Sequence, residues 1–252
     1  MTRDQGETGN GMRRQIVGHL RRLQAEGVWA LPRAQASTSP TTAHGAPARQ
    51  SGLFEEPAPE SELAHYRDVD ETLEQIESEA LACTTCRLCE GRTHVVFGVG
   101  APRARVMFIG EGPGRDEDLQ GEPFVGRAGK LLNDIIKAMK LRREDVYITN
   151  AVKCRPPKNR NPEADELAAC RHFLLRQVSV IEPDVIILLG RVAVQTVLQV
   201  RAPLGRLRGR FHDWNGIPVM CTYHPAYLLR NPAEKSKVWA DVQLVMAFLD
   251  QE

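Results

Sequence analysis

Four cysteines are spaced in a way that could bind a metal. Cys83 and Cys86 form a Cys-x2-Cys pair, and Cys154 and Cys170 follow much later in the chain. Four thiolates gathered from such positions suit either a structural zinc ion or a [4Fe–4S] cluster. Cys89 continues the even spacing of the first pair. Spacing alone leaves zinc, an iron–sulfur cluster and unrelated thiols open.

A glycine-rich loop follows a short apolar segment. Residues 106–109 predict a buried strand, and Gly110-Glu-Gly-Pro-Gly114 then breaks it. Glycine lets a ligand approach the backbone closely, and open parallel sheets bind ligands beyond the carboxyl ends of their strands. His224 follows the last predicted strand, so we expect it at the same edge as Glu111, where it could act as an acid or stabilise charge. An ordinary loop and a structural histidine are the alternatives.

Asn150 and Phe124 are suited to binding a flat heterocycle. Asn150 ends the second predicted strand, and its amide offers a donor beside an acceptor, which matches the carbonyl and N–H of a pyrimidine edge. Phe124 lies in a loop flanked by proline and glycine, and its ring could stack on a base. The alternatives are a turn asparagine bonded to nearby backbone, and an aromatic anchor tucked into the core.

Polar and basic residues dispersed in loops could follow a phosphate backbone. Those predicted to contact DNA are Arg155, Asn159, Arg160, Arg208 and Arg230. Leu228 and Leu229 form an apolar pair beside Arg230, and such a pair could wedge into a duplex and fill the space left by an extruded base. For any single arginine, an ordinary solvated surface is the alternative.

The elements that position these residues alternate between strands and helices. Strands are predicted over 106–110, 146–152, 185–189 and 217–223, and helices over 71–82, 128–139, 163–181, 191–200 and 235–249. A hairpin is expected around Asn215-Gly216, and the segment 224–232 is expected to be a loop. This alternation predicts an α/β fold: a three-layer αβα sandwich with a central four-stranded, mostly parallel sheet.

Composition and length limit the class of protein and its domain organisation. The chain has 252 residues and a net charge of +1, so its charge as a whole does not indicate nucleic acid. We find no transmembrane run and no apolar signal region, and therefore expect a cytoplasmic protein. Residues 1–75 are interpreted as an extension, with a segment over 12–29 that could form a short helix and a disordered linker over 31–62 rich in Pro, Ala and Ser. Residues 76–252 are expected to form the folded domain.

Four segments are distinctive when taken together. They are Gly110-Glu-Gly-Pro-Gly114, Pro123-Phe-Val-Gly-Arg-Ala-Gly129, Tyr147-Ile-Thr-Asn-Ala-Val-Lys-Cys-Arg-Pro-Pro157 and His224-Pro-Ala-Tyr-Leu-Leu-Arg-Asn-Pro232. In this order they closely resemble the family-4 uracil-DNA glycosylases, the iron–sulfur members of that superfamily. The resemblance runs from about residue 81 to the C-terminus. It implies a monofunctional DNA repair glycosylase that removes uracil and leaves an abasic site, as in base excision repair.

The resemblance also implies a cofactor and a partner. The cofactor is a [4Fe–4S] cluster held by Cys83, Cys86, Cys154 and Cys170, with Cys89 outside the ligand set. The partner is uracil-containing DNA, single- or double-stranded, and a monomer is expected. Residues 1–75 lie outside the resemblance and could recruit a repair or replication protein.

Individual roles follow by position in the family motifs. Phe124 would stack on uracil, Asn150 would bind its polar edge, and the backbone of Gly110–Gly112 would shape the pocket. His224 would hydrogen-bond uracil O2 and stabilise the departing anion. Donors aimed at O2 favour the transition state, because breaking the N-glycosidic bond leaves negative charge on the base.

One position departs from the better-known branch of the superfamily. That branch has an aspartate where this chain has Gly112, so the carboxylate that activates water is missing there. Nearby acids could substitute for it, and we select Glu117, with Glu111 also placed among the catalytic residues.

Three other functions stay open from the sequence. The first is a non-catalytic DNA-binding module of the same fold. The second is a glycosylase of broader scope that acts on other deaminated bases. The third is a zinc-stabilised α/β hydrolase that acts on nucleotides.

Overall fold

The structure is a computed structural model, and it describes residues 63–67 and 69–250. The predicted helix over 12–29 and the linker over 31–62 lie outside these residues. The strands are β1 (Val99–Gly100), β2 (Val106–Gly110), β3 (Tyr147–Asn150), β4 (Val185–Leu189), β5 (Phe211–Trp214) and β6 (Ile217–Thr222). The helices are α1 (Ala64–Arg67), α2 (Leu73–Ala82), α3 (Leu88–Gly91), α4 (Arg115–Gln120), α5 (Arg127–Ala138), α6 (Ala164–Ile181), α7 (Arg191–Leu198), α8 (Leu204–Leu207), α9 (Pro225–Arg230) and α10 (Lys235–Leu249).

The strands form one mixed sheet in the order β1-β3-β2-β4-β6-β5. The four central strands are parallel, as predicted, and the two edge strands are antiparallel to their neighbours. The sheet therefore has six strands and not four. The strand β1 was missed because it is only two residues long, too short for any periodicity. The strand β5 belongs to the predicted hairpin, in which Trp214 pairs with Ile217.

Two hydrophobic clusters cover the two faces of the sheet. Met107 and Ile109 of β2 pack on one face with α6 and α7. Phe108, which points the opposite way, packs on the other face with α5 and α10. Because helices cover both faces, every residue of β2 and β4 is buried, as their continuous apolar sequences predict. The three-layer αβα prediction is confirmed.

The segment after β6 differs from its prediction. We expected residues 224–232 to form a loop, whereas Pro225–Arg230 is the helix α9. Proline at the first helical position is favoured, because its fixed φ suits a helix and its missing N–H would have no partner there. The helix turns Leu228 into the core, where it is only 1% exposed, while Leu229 remains 37% exposed. The expectation of an exposed leucine pair is therefore wrong for Leu228.

The N-terminal helices pack against the rest of the chain. Leu63 is buried in the same cluster as α6, and Leu73 packs against that cluster. Arg176 of α6 binds Glu71 and donates to Glu79 Oε2 at 2.6 Å. Packing of the described chain thus begins before residue 76. Among the described helices, none combines the length and the apolar character that crossing a bilayer would require.

Candidate active site

A cavity of about 420 Å³ opens at the carboxyl ends of the central strands. It is where the topology brings together the glycine-rich loop after β2, the end of β3 and the start of α9. Most of the site residues predicted from sequence line it: Glu111, Gly112, Glu117, Phe124, Asn150, Asn159, Arg160, His224 and Arg230. Residues far apart in the sequence therefore share one pocket.

Asn150 lies at the floor of this cavity. The residue is only 2% exposed, and its Oδ1 has no hydrogen-bond partner among the described residues. The absence of a side chain at Gly110 makes room for it, since a Cβ there would lie 2.3 Å from Asn150 Oδ1 and 2.7 Å from Phe124 Cζ. The alternative of a turn asparagine that satisfies nearby backbone does not account for this unpaired acceptor.

Phe124 both lines the cavity and packs in the core. It is 5% exposed, and its ring stacks on the imidazole of His224 with a centroid separation of 5.5 Å. Its backbone has a φ of 53°, which is uncommon for a residue other than glycine. Arg143 Nη2 supports the loop by donating to the carbonyl of Pro123 at 2.6 Å. The two alternatives for Phe124, a ring that faces a ligand and an anchor in the core, are therefore compatible.

Glu117 holds the Phe124 loop from the other side. Its Oε1 accepts the backbone N–H groups of Val125 and Gly126, both at 3.0 Å, and its Oε2 accepts that of Gly114 at 3.1 Å. Both carboxylate oxygens are therefore occupied by backbone. This geometry favours a positioning role for Glu117 over the water-activating role that we selected from sequence.

Glu111 is the second carboxylate of the cavity. Burial raises its pKa, and the positive charge of Arg191 opposes that rise. With its amide oriented to suit both neighbours, Asn161 donates to Glu111 Oε1 at 3.2 Å and accepts from Arg191 Nη2 at 3.1 Å. Asn161 and Arg191 were not predicted from the sequence. The position of Arg191, two residues after the end of β4, was the available signal, because it lies at the same edge of the sheet.

The protonation of His224 is set by its own helix. His224 is the N-cap of α9, and its Nδ1 accepts the N–H of Ala226 at 3.1 Å. The neutral ring must then carry its proton on Nε2. Burial, assisted by the positive charge of Arg230, lowers the pKa of His224 to about 4. The cavity therefore contains a neutral imidazole donor throughout the neutral pH range.

A second, smaller cavity is lined by cysteines. The four predicted ligands border it together with the fifth cysteine of this region: Cys83, Cys86, Cys89, Cys154 and Cys170. Cys83 and Cys86 lie between α2 and α3, Cys89 lies in α3, Cys154 follows β3, and Cys170 lies in α6. All are free thiols. Among the described residues, no three His, Cys, Asp or Glu side chains are grouped closely enough to hold a single metal ion.

Donors surround the sulfur atoms of this cavity. Arg92 Nη1 lies 3.2 Å from Cys154 Sγ, and the backbone N–H of Lys153 donates to Cys170 Sγ at 3.3 Å. Burial raises the pKa of both thiols, that of Cys170 to about 11. Burial therefore disfavours ionised thiolates at these positions, and the positive charge of Arg92 partly offsets that effect at Cys154.

The predicted DNA-contact residues divide into two groups. Arg230 is exposed at the cavity rim, and Arg155 Nε donates to Asn159 Oδ1 at 2.7 Å beside the same rim. Arg160 is only partly available to contact DNA, since its guanidinium pairs with Glu166. Arg208 differs from its prediction: its side chain is 17% exposed and pairs with the fully buried Asp241 at 2.8 Å. The expectation of a free surface arginine is wrong there, because the carboxylate inside the fold needs a partner.

Comparison with known proteins agrees with these observations. A family model, the uracil DNA glycosylase superfamily, matches residues 97–243. A type-4 uracil-DNA glycosylase of Thermotoga maritima is 44% identical over 187 residues, which cover 73% of this chain and 97% of that protein. Similar proteins of the same name are found in Archaeoglobus fulgidus, at 42% identity over 69% of this chain and 92% of that protein, and in Saccharolobus solfataricus, at 43% identity over 72% and 88%. The chain therefore belongs to the type-4 group of the uracil-DNA glycosylase superfamily.

Proposed function

We propose that the protein hydrolyses the N-glycosidic bond of uracil in DNA and leaves an abasic site for repair. The observation that supports this most directly is the meeting of Asn150, Phe124 and His224 in one cavity. These three side chains supply an amide, an aromatic face and a neutral donor. Each corresponds to one chemical requirement of uracil removal.

Asn150 would select uracil over cytosine. Uracil presents an N–H flanked by carbonyls, so an amide can accept from N3–H and donate to O4. Cytosine presents the reverse pattern, an amino donor beside an acceptor nitrogen, and would leave the amide mispaired. An unsatisfied buried acceptor costs about 1–3 kcal/mol, and the buried Oδ1 of Asn150 has no partner among the described residues. A bound uracil would supply that partner, and the Phe124 ring would stack on the extruded base.

His224 provides the stabilisation of the leaving group. As the bond between C1′ and N1 breaks, its electron pair leaves with uracil and the charge spreads onto O2. The Nε2–H of His224 would donate to O2, and this bond strengthens as the charge develops. A neutral donor is sufficient, and the Ala226 contact keeps the ring in that tautomer.

Water completes the reaction at the sugar. The water oxygen forms a bond to C1′ and loses a proton, for which the carboxylate of Glu111 is the available acceptor in the cavity. Burial raises the pKa of Glu111, which makes it a better base than an exposed carboxylate. Glu117 would act indirectly, by holding the Phe124 loop. No carboxylate stands at Gly112, so we expect the departure of uracil to be far advanced before water attacks.

The cysteine cavity suits a [4Fe–4S] cluster held by Cys83, Cys86, Cys154 and Cys170. Four thiols from three chain segments border one cavity. Thiolates are the ligands that iron–sulfur clusters use, and the resemblance to the iron–sulfur glycosylases favours a cluster over zinc. The cluster would fix the loop after β3 near the pocket, and the steps described above do not pass through it.

Bound DNA would run along the rim of the cavity. Arg155, Asn159, Arg160 and Arg230 would contact its phosphates. Leu229, exposed on α9, is positioned to enter the space left by an extruded base. This assignment gives the wedge one leucine, because Leu228 is buried.

The test is abasic-site formation on an oligonucleotide with one uracil, followed by alkali cleavage. Wild type should cleave, His224→Ala should lose most of the activity, and His65→Ala, which changes an exposed histidine, should match wild type. Absence of cleavage by intact, iron-loaded protein would exclude the proposal. A panel of oligonucleotides with hypoxanthine or xanthine would then identify a broader deaminated-base activity, and DNA binding alone would indicate the non-catalytic module. Absorbance in the visible range would separate iron–sulfur from zinc.

A further inference from the structure

Lys153 lies between the cavity that contains Asn150, here called the base pocket, and the cysteine cavity. It is only 2% exposed. Its Nζ donates to Thr149 Oγ1 at 2.6 Å, to the carbonyl oxygen of Asn150 at 2.9 Å and to Gln177 Oε1 at 2.6 Å. Its backbone N–H donates to Cys170 Sγ at 3.3 Å, and the residue also lines the cysteine cavity. One residue thus contacts both the base-binding asparagine and the predicted metal site.

The charge of Lys153 has no anionic partner within the described chain. All three acceptors of its Nζ are uncharged, and none of the described carboxylates forms an ion pair with it. A buried ammonium group costs several kcal/mol unless negative charge lies nearby. The three hydrogen bonds of Nζ are therefore the polar contacts in the described chain that hold this side chain in place.

The geometry points to Lys153 as a positioning residue: the three hydrogen bonds of its Nζ fix the end of β3 so that Asn150 can bind uracil. The inference rests on the proposed function of both cavities. The bond to the Asn150 carbonyl matters because the buried Oδ1 of Asn150 has no partner among the described residues to fix the side chain. The position of the backbone must therefore orient the amide before uracil arrives.

This role predicts a selective defect. A change at Lys153 should weaken binding of the base and leave contacts to the DNA backbone intact, because the rim side chains have partners of their own: Arg155 donates to Asn159, and Arg160 pairs with Glu166. It should also alter the electrostatic surroundings of the metal site. A merely structural contribution would instead weaken all binding together and lower the melting temperature.

The test uses Lys153→Met in the full-length, iron-loaded protein, with Lys137→Met as the control at an exposed position on α5. Inhibition by free uracil and affinity for a duplex with a tetrahydrofuran abasic analogue are measured together. We expect the inhibition constant for uracil to rise at least tenfold and the affinity for the analogue to stay within twofold. The reduction potential of the cluster should become more negative, because a nearby positive charge is lost. Equal weakening of both ligands, or an unchanged inhibition constant, would overturn the inference.

A double-mutant cycle tests the route through Asn150. In an Asn150→Ala background, Lys153→Met should cause no further loss of uracil affinity, and an additive loss would contradict the inference. If Lys153→Met does not fold or load iron, Thr149→Val removes one of the three Nζ acceptors. It should raise the uracil inhibition constant two- to fivefold. An unchanged inhibition constant in this variant would also contradict the inference. Wild-type protein that forms no abasic sites would refute the proposed function, whereas active wild type with unaffected variants would refute only the role of Lys153.

Discussion

His224 Nδ1 accepts a hydrogen bond from the backbone N–H of Ala226 at 3.1 Å. The same contact caps the first turn of α9 and decides which nitrogen of the ring carries the proton. The start of α9 and the tautomer of His224 therefore depend on the same hydrogen bond. The consequences for the rate and for the titration of the ring can be measured separately.

His224→Ala should reduce the single-turnover rate of uracil removal more than Glu117→Ala does. Removal of one donor to a developing anion typically costs about 10²–10³ in rate. Glu117 instead binds three backbone N–H groups around the Phe124 loop, so its loss should lower the melting temperature and reduce the rate to a smaller extent. Rates should be compared at saturating enzyme. A His224→Ala rate close to that of wild type would contradict the assignment.

The imidazole of His224 should stay neutral in the folded protein as the medium is acidified from pH 7 to pH 5, so its NMR titration should show no midpoint near pH 6.5. Burial holds the pKa of His224 at about 4, below its ordinary value of 6.5, so the neutral donor persists over this range. The unfolded chain takes up a proton at His224 near pH 6.5, whereas the folded protein does so only near 4, so this residue's contribution to stability is lost as the pH falls between these values. His224→Gln removes that contribution and is the control. NMR titration of the imidazole with a midpoint near 6.5 in the folded protein would refute the prediction.

Gly110→Ala should abolish uracil binding while leaving the fold in place. A Cβ at this position would lie 2.3 Å from Asn150 Oδ1 and 2.7 Å from the Phe124 ring, so both side chains would have to move out of their binding positions. Gly205→Ala is the matched control, because a Cβ there has nothing within 4 Å. We expect activity to fall at least a hundredfold in the first variant and to be unchanged in the second. Full activity in Gly110→Ala would show that the pocket can rearrange.

The sequence predicts the centre of the fold well because the buried strands are continuous apolar segments. The strands β2 and β4, and the helices that cover them, lie within a residue or two of their predicted bounds. The edge strand β1 and the helix α9 were not predicted, since one is too short for a periodic pattern and the other begins with a proline after a strand. Local patterns do not encode pairing at an edge or the burial of Leu228 against distant residues.

The candidate site, like the fold, could be predicted only in part. The positions of Asn150 and His224 at strand ends could be inferred from topology, because parallel strands bring their carboxyl ends to one edge. The partners of each side chain could not. Nothing in the local sequence indicates that Glu117 binds the Phe124 loop or that Arg208 pairs with Asp241, because both contacts join segments brought together only by folding.

Glu166→Gln should destabilise the protein at neutral pH by about 1–3 kcal/mol, because the buried carboxylate loses charge-assisted hydrogen bonds while both arginines stay partly exposed to solvent. The Glu166 side chain is 0% exposed, and it accepts from Arg160 Nη1 at 2.8 Å and from Arg87 Nε at 2.9 Å. It therefore joins the loop of Cys86 to the rim of the base pocket. Equilibrium unfolding in guanidinium measures the difference. Glu144→Gln, at an exposed ion pair, is the control and should cost less than about 1 kcal/mol.

Acidification should remove this difference in a defined pH range. The arginines hold the pKa of Glu166 at about 2, below its ordinary value of 4.5. A carboxyl group whose pKa is lowered by folding stabilises the folded state above its unfolded pKa and loses that contribution as the pH falls toward its folded pKa. The difference in unfolding free energy between wild type and Glu166→Gln should therefore be constant from pH 7 to about 5 and shrink below that. Any acid lability of the metal site is common to both proteins and cancels in this comparison, so a difference that stays constant down to pH 3 would show that the Glu166 carboxylate does not carry the effect.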